Sequence, residues 1–150
     1  MHAYAQQPKD EAYFCEAKVT GGLLFDEQTN DWKGVDFKST DRFVLRIKYL
    51  RSEEKAIGGL GDLLVRYVNV TVTDQGQKAG SDCTIGIGLK NKEIMVFEKW
   101  KVIKCETFFK QYDFNLASGR FLSSYMMGYI DGDKNENNPS IAGGVCTKIN

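Results

Sequence analysis

The chain has 150 residues, of which 42% are hydrophobic and 27% charged, so it suits one globular domain and is unlike a disordered chain. Basic and acidic residues both number 20 and the net charge is zero, which argues against a nucleic-acid-binding protein that relies on basic residues for phosphate contacts. No apolar run approaches the ~20 residues of a transmembrane segment, and the sequence has no polybasic cluster for an anionic membrane surface.

Residues 1–10 form a polar segment that we expect to be a flexible N-terminal tail. Ala3-Tyr4-Ala5 matches the small-x-small pattern that precedes a signal-peptidase site, and the Gln6-Gln7-Pro8 that follows suits a mature start. We therefore expect the tail to be a signal-peptide remnant, with residues 11–150 as a single β domain. The alternative is a chance match in a short polar tail.

Alternation of apolar and polar residues, typical of strands, recurs through the first half of the chain. The first predicted strand ends at Thr20-Gly21-Gly22, and a polar turn at 26–31 predicts a hairpin around Trp32. Residues 51–57 are the best local candidate for a helix, ended by Gly58-Gly59. The predicted strands are 12–19, 23–25, 32–37, 43–49 and 63–73.

The second half continues in the same way, with Ile85, Ile87 and Leu89 alternating with glycines. The remaining predicted strands are 94–100, 104–114, 120–130 and 145–149, with a polar loop at 131–138. About nine or ten strands and at most one short helix predict an all-β protein. The expected architecture is a single antiparallel β-sandwich or β-barrel domain.

Two segments of the chain resemble each other. Each carries a cysteine followed by glutamate, and then the pattern Phe-x3-[Thr/Ser]-[Asn/Gly]-x-aromatic, in 25–32 and in 114–121. The shared pattern predicts one hairpin design used twice, with an aromatic residue on each arm and turn-forming residues between them. Chance similarity between two hairpins is the alternative, since two copies do not establish a repeat architecture.

The four cysteines are Cys15, Cys83, Cys105 and Cys146, with long spacings and no Cys-x-x-Cys motif. With His2 as the sole histidine, this pattern argues against a zinc site and favours two structural disulfides. The protein is therefore expected to be periplasmic or secreted; four buried free thiols in the cytosol are the alternative. Three pairings are open, and we prefer Cys105 with Cys146, which leaves Cys15 with Cys83.

Candidates for chemistry are few. His2 is the only candidate imidazole base, so nucleophilic catalysis of the Ser-His-Asp kind is not expected. The loop containing Asp131, Asp133 and Asn135 resembles the start of a calcium-binding loop, but Glu136 replaces the glycine of the sharp turn, and no bidentate glutamate follows at the twelfth position. We therefore predict no catalytic residues, no bound metal and no cofactor.

Aromatic residues are concentrated in the C-terminal half, where they could line a ligand cavity. In β proteins such residues more often fill the core, and we expect that here. The residues concerned are Tyr112, Phe114, Phe121, Tyr125 and Tyr129.

The chain loosely resembles a group of small, uncharacterised, secreted or periplasmic β-rich proteins of alphaproteobacteria. The resemblance implies a periplasmic or extracellular location and no particular activity. The matching features are Gly21-Gly22, the Trp32 hairpin, Phe43-Val44-Leu45, Phe114-Asn115 to Phe121, Gly128-Tyr129 and Gly144-Val145-Cys146.

We expect an exported, non-enzymatic β domain that binds a protein partner in the cell envelope or in an extracellular assembly. One alternative is a calycin-like small-ligand carrier, which requires a closed barrel with an apolar cavity of roughly 300 Å³ or more. The Asp31-Trp32-Lys33-Gly34 stretch lacks the Gly-x-Trp order that a lipocalin would show. A further alternative is a carboxylate-based hydrolase, with two acidic side chains in one cleft.

Overall fold

The computed structural model describes residues 8–86, 91–126 and 138–150, which form ten antiparallel strands and one short 3-10 turn at Gly58–Leu60. The predicted all-β class and the predicted number of strands are confirmed. The strands are β1 (Glu11–Asp26), β2 (Asp31–Phe37), β3 (Arg42–Ala56), β4 (Asp62–Asp74), β5 (Ser81–Cys83), β6 (Ile94–Phe97), β7 (Val102–Glu106), β8 (Gln111–Asn115), β9 (Arg120–Tyr125) and β10 (Ser140–Lys148).

All ten strands belong to one sheet, whose main path runs β5-β4-β3-β1-β10-β9-β8-β7. β2 pairs with the C-terminal part of β1. β5 and β6 pair with successive parts of the same edge of β4. The two ends of this path meet where Thr84 and Glu106 exchange backbone hydrogen bonds of 2.9 and 2.7 Å. The sheet is thus rolled up, but within the described residues no continuous ladder closes it.

Two predictions of local structure in the first half are wrong. Residues 51–57 are not a helix, because Arg51–Ala56 pairs with Asp62–Tyr67 in the long β3–β4 hairpin. Cross-strand pairing overrides the helical preference of its charged residues. The chain also does not break at Gly21-Gly22, since β1 runs through both glycines to pair with β2. The predicted Trp32 hairpin itself is confirmed.

One predicted strand in the second half is two strands. The segment 104–114 turns back on itself at 107–110, and β7 pairs with β8 across that turn. Several predictions lie outside the described residues and keep their status as predictions. They concern 1–7 of the tail, 87–90 and 127–130 of two predicted strands, Tyr129, and the candidate metal loop with Asp131, Asp133 and Asn135.

The two similar segments do form matching hairpins. Phe25 lies directly opposite Trp32 across β1–β2, and Phe114 lies directly opposite Phe121 across β8–β9. The facing rings contact each other in both pairs, with centroids 5.2 Å and 6.2 Å apart. The prediction that each segment forms a hairpin with an aromatic residue on each arm is confirmed.

The turns of these two hairpins use the same chemistry. The Oδ1 atom of Asp26 accepts hydrogen bonds from two backbone N–H groups that follow it, and the Oδ1 atom of Asn115 does the same. The last turn residue has a positive φ in each case, 54° at Asn30 and 72° at Gly119. Asn and Gly are the residues that adopt this conformation most readily, so each turn is specified by its own sequence.

The interior of the rolled sheet is filled by aromatic rings. Phe43, from β3, packs edge-on against Tyr112, Phe114 and Phe121, with centroid distances between 5.1 and 6.1 Å. All four residues are almost completely buried. Aromatic contacts of this geometry stabilise a core beyond the area that they bury. Tyr112, Phe114 and Phe121 are therefore core residues, as expected, whereas Tyr125, at the end of β9, is only partly buried and lies outside the core.

Both predicted disulfides are present, but the preferred pairing is wrong. Cys15 is bonded to Cys146, and Cys83 is bonded to Cys105. Cys15 and Cys146 lie directly opposite each other on β1 and β10, with Cα atoms 4.0 Å apart. Cys83–Cys105 links β5 to β7, where the two ends of the sheet meet. One bond therefore joins the first and last strands and the other joins the two ends of the sheet, whereas the preferred pairing would have clipped the C-terminal segment to itself.

We expect the two disulfides to differ in their contributions to stability. Cys15–Cys146 spans 131 residues and Cys83–Cys105 spans 22. In the chain-entropy model these spans correspond to about 5 and about 3.5 kcal/mol, because a longer closed loop restricts the unfolded chain more. Cys15→Ala/Cys146→Ala should therefore lower the free energy of unfolding in urea more than Cys83→Ala/Cys105→Ala. The reverse order would contradict the prediction, and non-reducing peptide mapping checks the pairing itself.

Gly144, on β10, fills a position that has no room for a side chain. A Cβ atom there would lie 2.1 Å from the carbonyl oxygen of Glu16 and 2.8 Å from the Cα atom of Ala17, both on β1. It would also lie 2.7 Å from the ring of Phe121. Two of these three neighbours are backbone atoms that cannot turn away, so the glycine allows β10 to lie close to β1.

Gly144→Ala should therefore lower the free energy of unfolding by more than about 2 kcal/mol, because the new methyl group forces the two strands apart. Gly34→Ala is the matched control, since a Cβ atom at Gly34 would meet nothing within 4 Å. The control should change stability by less than about 0.5 kcal/mol or be slightly stabilising. Urea unfolding of both variants tests the prediction, and equal effects would contradict it.

Candidate functional site

The outward face of β9, β10 and the adjoining part of β1 is the most unusual surface of the described residues. On β10, the small residues Ala142 and Gly144 point into the interior, while the larger Ile141 and Val145 point outwards. This reverses the usual arrangement, in which an antiparallel sheet turns its larger apolar residues to the core. The reversal follows from the aromatic core, which leaves space beneath β10 only for small side chains.

A bulge in β1 adds Val19 to the same surface. Tyr13, Cys15 and Ala17 face the interior, and strict alternation would place Val19 there as well. The register shifts by one residue between Ala17 and Val19, so Val19 pairs with Gly143 and faces outwards. One extra residue in a strand reverses the facing of the residues that follow it. The imperfect alternation of the first predicted strand was the only sign of this in the sequence.

We call Val19, Leu122, Ile141 and Val145 the outer apolar patch. Their exposed fractions are 69%, 54%, 56% and 43%. Leu122 and Val19 both pair with Gly143, which lies between them and has no side chain to fill the space. An open groove of about 570 Å³ lies beside the patch and reaches it at Leu122 and Gly143, but its other lining residues belong mainly to β7, β8 and the turn before β9. Exposed apolar surface of this kind is typical of a binding surface.

The opposite side of the rolled sheet is polar, as the alternation of its strands predicts. On β3 the outward positions include Arg46 and Lys48, and their partners on β4 are Thr71 and Asn69. Exposed apolar residues also occur elsewhere, such as Leu60 and Leu64 on the β3–β4 hairpin, but the outer apolar patch groups four of them on neighbouring strands. The patch could not be predicted from the sequence, because apolar residues of strands usually belong to the core.

A second group of interacting side chains, which we call the basal recess, lies at the end of the sheet where β1 begins. Glu11, Tyr13, Arg66, Glu98 and Lys101 line a space of about 70 Å³, enough for about two water molecules. The Tyr13 hydroxyl donates to Glu11 Oε2 at 3.0 Å, and Arg66 Nε donates to Glu98 Oε1. Glu11 Oε1 also accepts a hydrogen bond from Lys148 Nζ at 2.8 Å. Each carboxylate thus has a cationic partner.

These contacts change the acidity of two groups in the basal recess. Burial raises the pKa of Tyr13 to about 12, and the negative charge and hydrogen bond of Glu11 act in the same direction. Burial also tends to raise the pKa of Glu11. The hydrogen bonds from Lys148 and Tyr13 outweigh that effect, and the pKa of Glu11 is lowered overall. Two acidic side chains do share one recess, but both are held in ion pairs that stabilise the fold.

The raised pKa of Tyr13 predicts a loss of stability at high pH. A tyrosine in the unfolded chain ionises near pH 10, whereas folded Tyr13 keeps its proton to about pH 12. The contribution is fully present below pH 10 and is lost as the pH rises from about 10 to 12. Tyr13→Phe should therefore show a smaller fall in the free energy of unfolding over this range than the wild type. Identical pH profiles, measured by urea unfolding, would contradict this.

No helix within the described ranges is long and apolar enough to cross a bilayer. Nor does the described part of the chain contain a cluster of three or more side chains suited to holding a metal ion. No protein-family model, curated protein or solved structure matches this chain. The resemblance to secreted alphaproteobacterial proteins therefore stays a prediction, and the outer apolar patch is the candidate site that the geometry supports best.

Proposed function

We propose that the protein is an exported, non-enzymatic β domain that binds a protein partner through the outer apolar patch. The observation that carries this proposal is the outward placement of Leu122, Ile141, Val145 and Val19 on one side of the sheet. Burial of such side chains is the main driving force of protein association. These four side chains remain exposed in the folded protein, so a partner that covers them would bury their apolar surface and gain binding free energy.

The disulfides support the proposed location. Two disulfides within the fold indicate an oxidising environment, as found in the periplasm and outside the cell. Together with the sequence pattern at Ala3-Tyr4-Ala5, this favours export. A partner in the cell envelope or in an extracellular assembly fits both observations.

The two alternative functions have less support. A small-ligand carrier needs an apolar cavity, but the aromatic residues that could line it pack against one another around Phe43. A carboxylate-based hydrolase needs space for a substrate between its acidic groups. The recess that contains Glu11 and Glu98 has room for about two water molecules, too little for a sugar or a peptide.

Leu122→Asp/Ile141→Asp should abolish partner binding, because the two carboxylates would have to be buried without cationic partners. The matched control is Leu60→Asp/Leu64→Asp, which places the same charges at two exposed leucines on the far β3–β4 hairpin. Each purified variant serves as bait for envelope proteins of the source organism, with chemical cross-linking to locate the contact. A parallel sedimentation experiment measures self-association.

We expect the wild type and the control to retain a partner. The affinity of the patch variant for that partner should fall at least about tenfold. Cross-links should then fall next to β9 and β10. The partner can be a second copy of the chain, in which case sedimentation shows a dimer that the patch variant lacks. A monomer that captures no protein, or equal capture by both variants, would overturn the proposal.

A further inference from the structure

The hairpin between β7 and β8 presents two phenylalanines at its tip. Phe108 and Phe109 are 64% and 57% exposed, and their rings contact each other edge to face, with centroids 4.6 Å apart. The tip is closed by a hydrogen bond of 2.9 Å from Thr107 N to the carbonyl oxygen of Lys110. Lys110 Nζ also binds Asp41 at 2.9 Å, which fixes the tip to the segment before β3. The aromatic pair therefore projects from a held backbone.

Neither phenylalanine is explained by the turn that contains it. Turns of this length favour Gly, Asn or Asp at the two central positions. Neither Phe108 nor Phe109 has a positive φ, so the backbone here accepts phenylalanine at both positions without requiring it. They add nothing to the core, and their exposure to water is unfavourable. Exposed apolar side chains that contribute nothing to the core are candidates for a binding contact.

We propose that the Phe108–Phe109 tip inserts into the interfacial region of a lipid bilayer and docks the protein on a membrane surface. The tip is a projection, so it cannot receive a ligand but can enter a deformable medium. The area of two side chains is also far smaller than the surface of about 800 Å² that each partner buries in a standard protein interface. Aromatic side chains, by contrast, partition favourably to the boundary between headgroups and acyl chains.

The surroundings of the tip fit this mode of binding. Met126, at the same end of the β8–β9 pair, is also exposed. Gln111 and Ser124 separate the tip from Ile141, so the tip is distinct from the outer apolar patch. The charge of Lys110 is balanced by Asp41, and the whole chain has no net charge. Apolar insertion rather than attraction to anionic lipids should therefore dominate.

Flotation of the full-length oxidised protein with lipid vesicles tests the proposal. Phe108→Ser/Phe109→Ser should weaken partitioning into phosphatidylcholine vesicles at least about tenfold, because two aromatic side chains are lost from the apolar phase. Phe108→Leu/Phe109→Leu should stay within about threefold of the wild type, since leucine is also apolar. Leu60→Ser/Leu64→Ser, at another exposed hairpin, is the matched control and should bind like the wild type. Circular dichroism of each variant confirms that it is folded.

Two further comparisons separate this proposal from its competitors. Adding phosphatidylglycerol or salt should change partitioning by less than about threefold, because the binding is not electrostatic. Leu122→Asp/Ile141→Asp, which tests the protein-binding patch, should still float with vesicles. The proposal is overturned if the wild type does not bind vesicles, if it requires anionic lipid, or if Phe108→Ser/Phe109→Ser binds equally well. Capture of a protein through the tip without vesicle binding would likewise assign the tip to a protein partner.

Discussion

The pairing of β1 with β10 is the constraint on which the rest of the sheet depends. It joins the two ends of the chain, with Cys15 bonded to Cys146 directly across the ladder. β3 and β9 are added on either side of this pair, so within the described residues strand pairing joins the two halves of the sheet there and at the Thr84–Glu106 contact, where the Cys83–Cys105 disulfide also links them. Such non-local pairing is slow to form because the chain must close a long loop first. A covalent bond at this point lowers that entropic cost once it has formed.

The close approach of β1 and β10 also determines what the surface looks like. Aromatic rings from β3, β8 and β9 fill the interior, and Gly144 is held between the ring of Phe121 and the backbone of β1. Only small residues fit on the inner side of β10, so the larger apolar residues of that strand face outwards. The outer apolar patch is thus a geometric consequence of how the core is filled. The core does not explain why these outward positions are isoleucine and valine, since polar residues would also fit there.

The sequence allowed the strands and the local hairpins to be predicted, since alternation and turn residues act over a few positions. The turns at Asp26 and Asn115 are examples in which the deciding atoms lie within four residues. Features that depend on distant partners could not be predicted. The disulfide pairing and the strand at 51–56 depend on which strands lie next to each other and in which register. The bulge that turns Val19 outwards is defined only by the pairing of β1 with β10. The same limit hid the patch, because facing cannot be read from hydrophobicity alone.

The division of 104–114 into two strands could not be predicted for a local reason, because the turn between them lacks the residues that usually mark a turn. Phe108 and Phe109 occupy this turn without a positive φ, so no Gly or Asn marks its position in the sequence. The tip lies at one end of the rolled sheet, and the outer apolar patch lies on its side. If both proposals hold, a membrane that received the tip would leave the patch facing along the bilayer surface. The protein would then present its binding face to neighbours held on the same membrane.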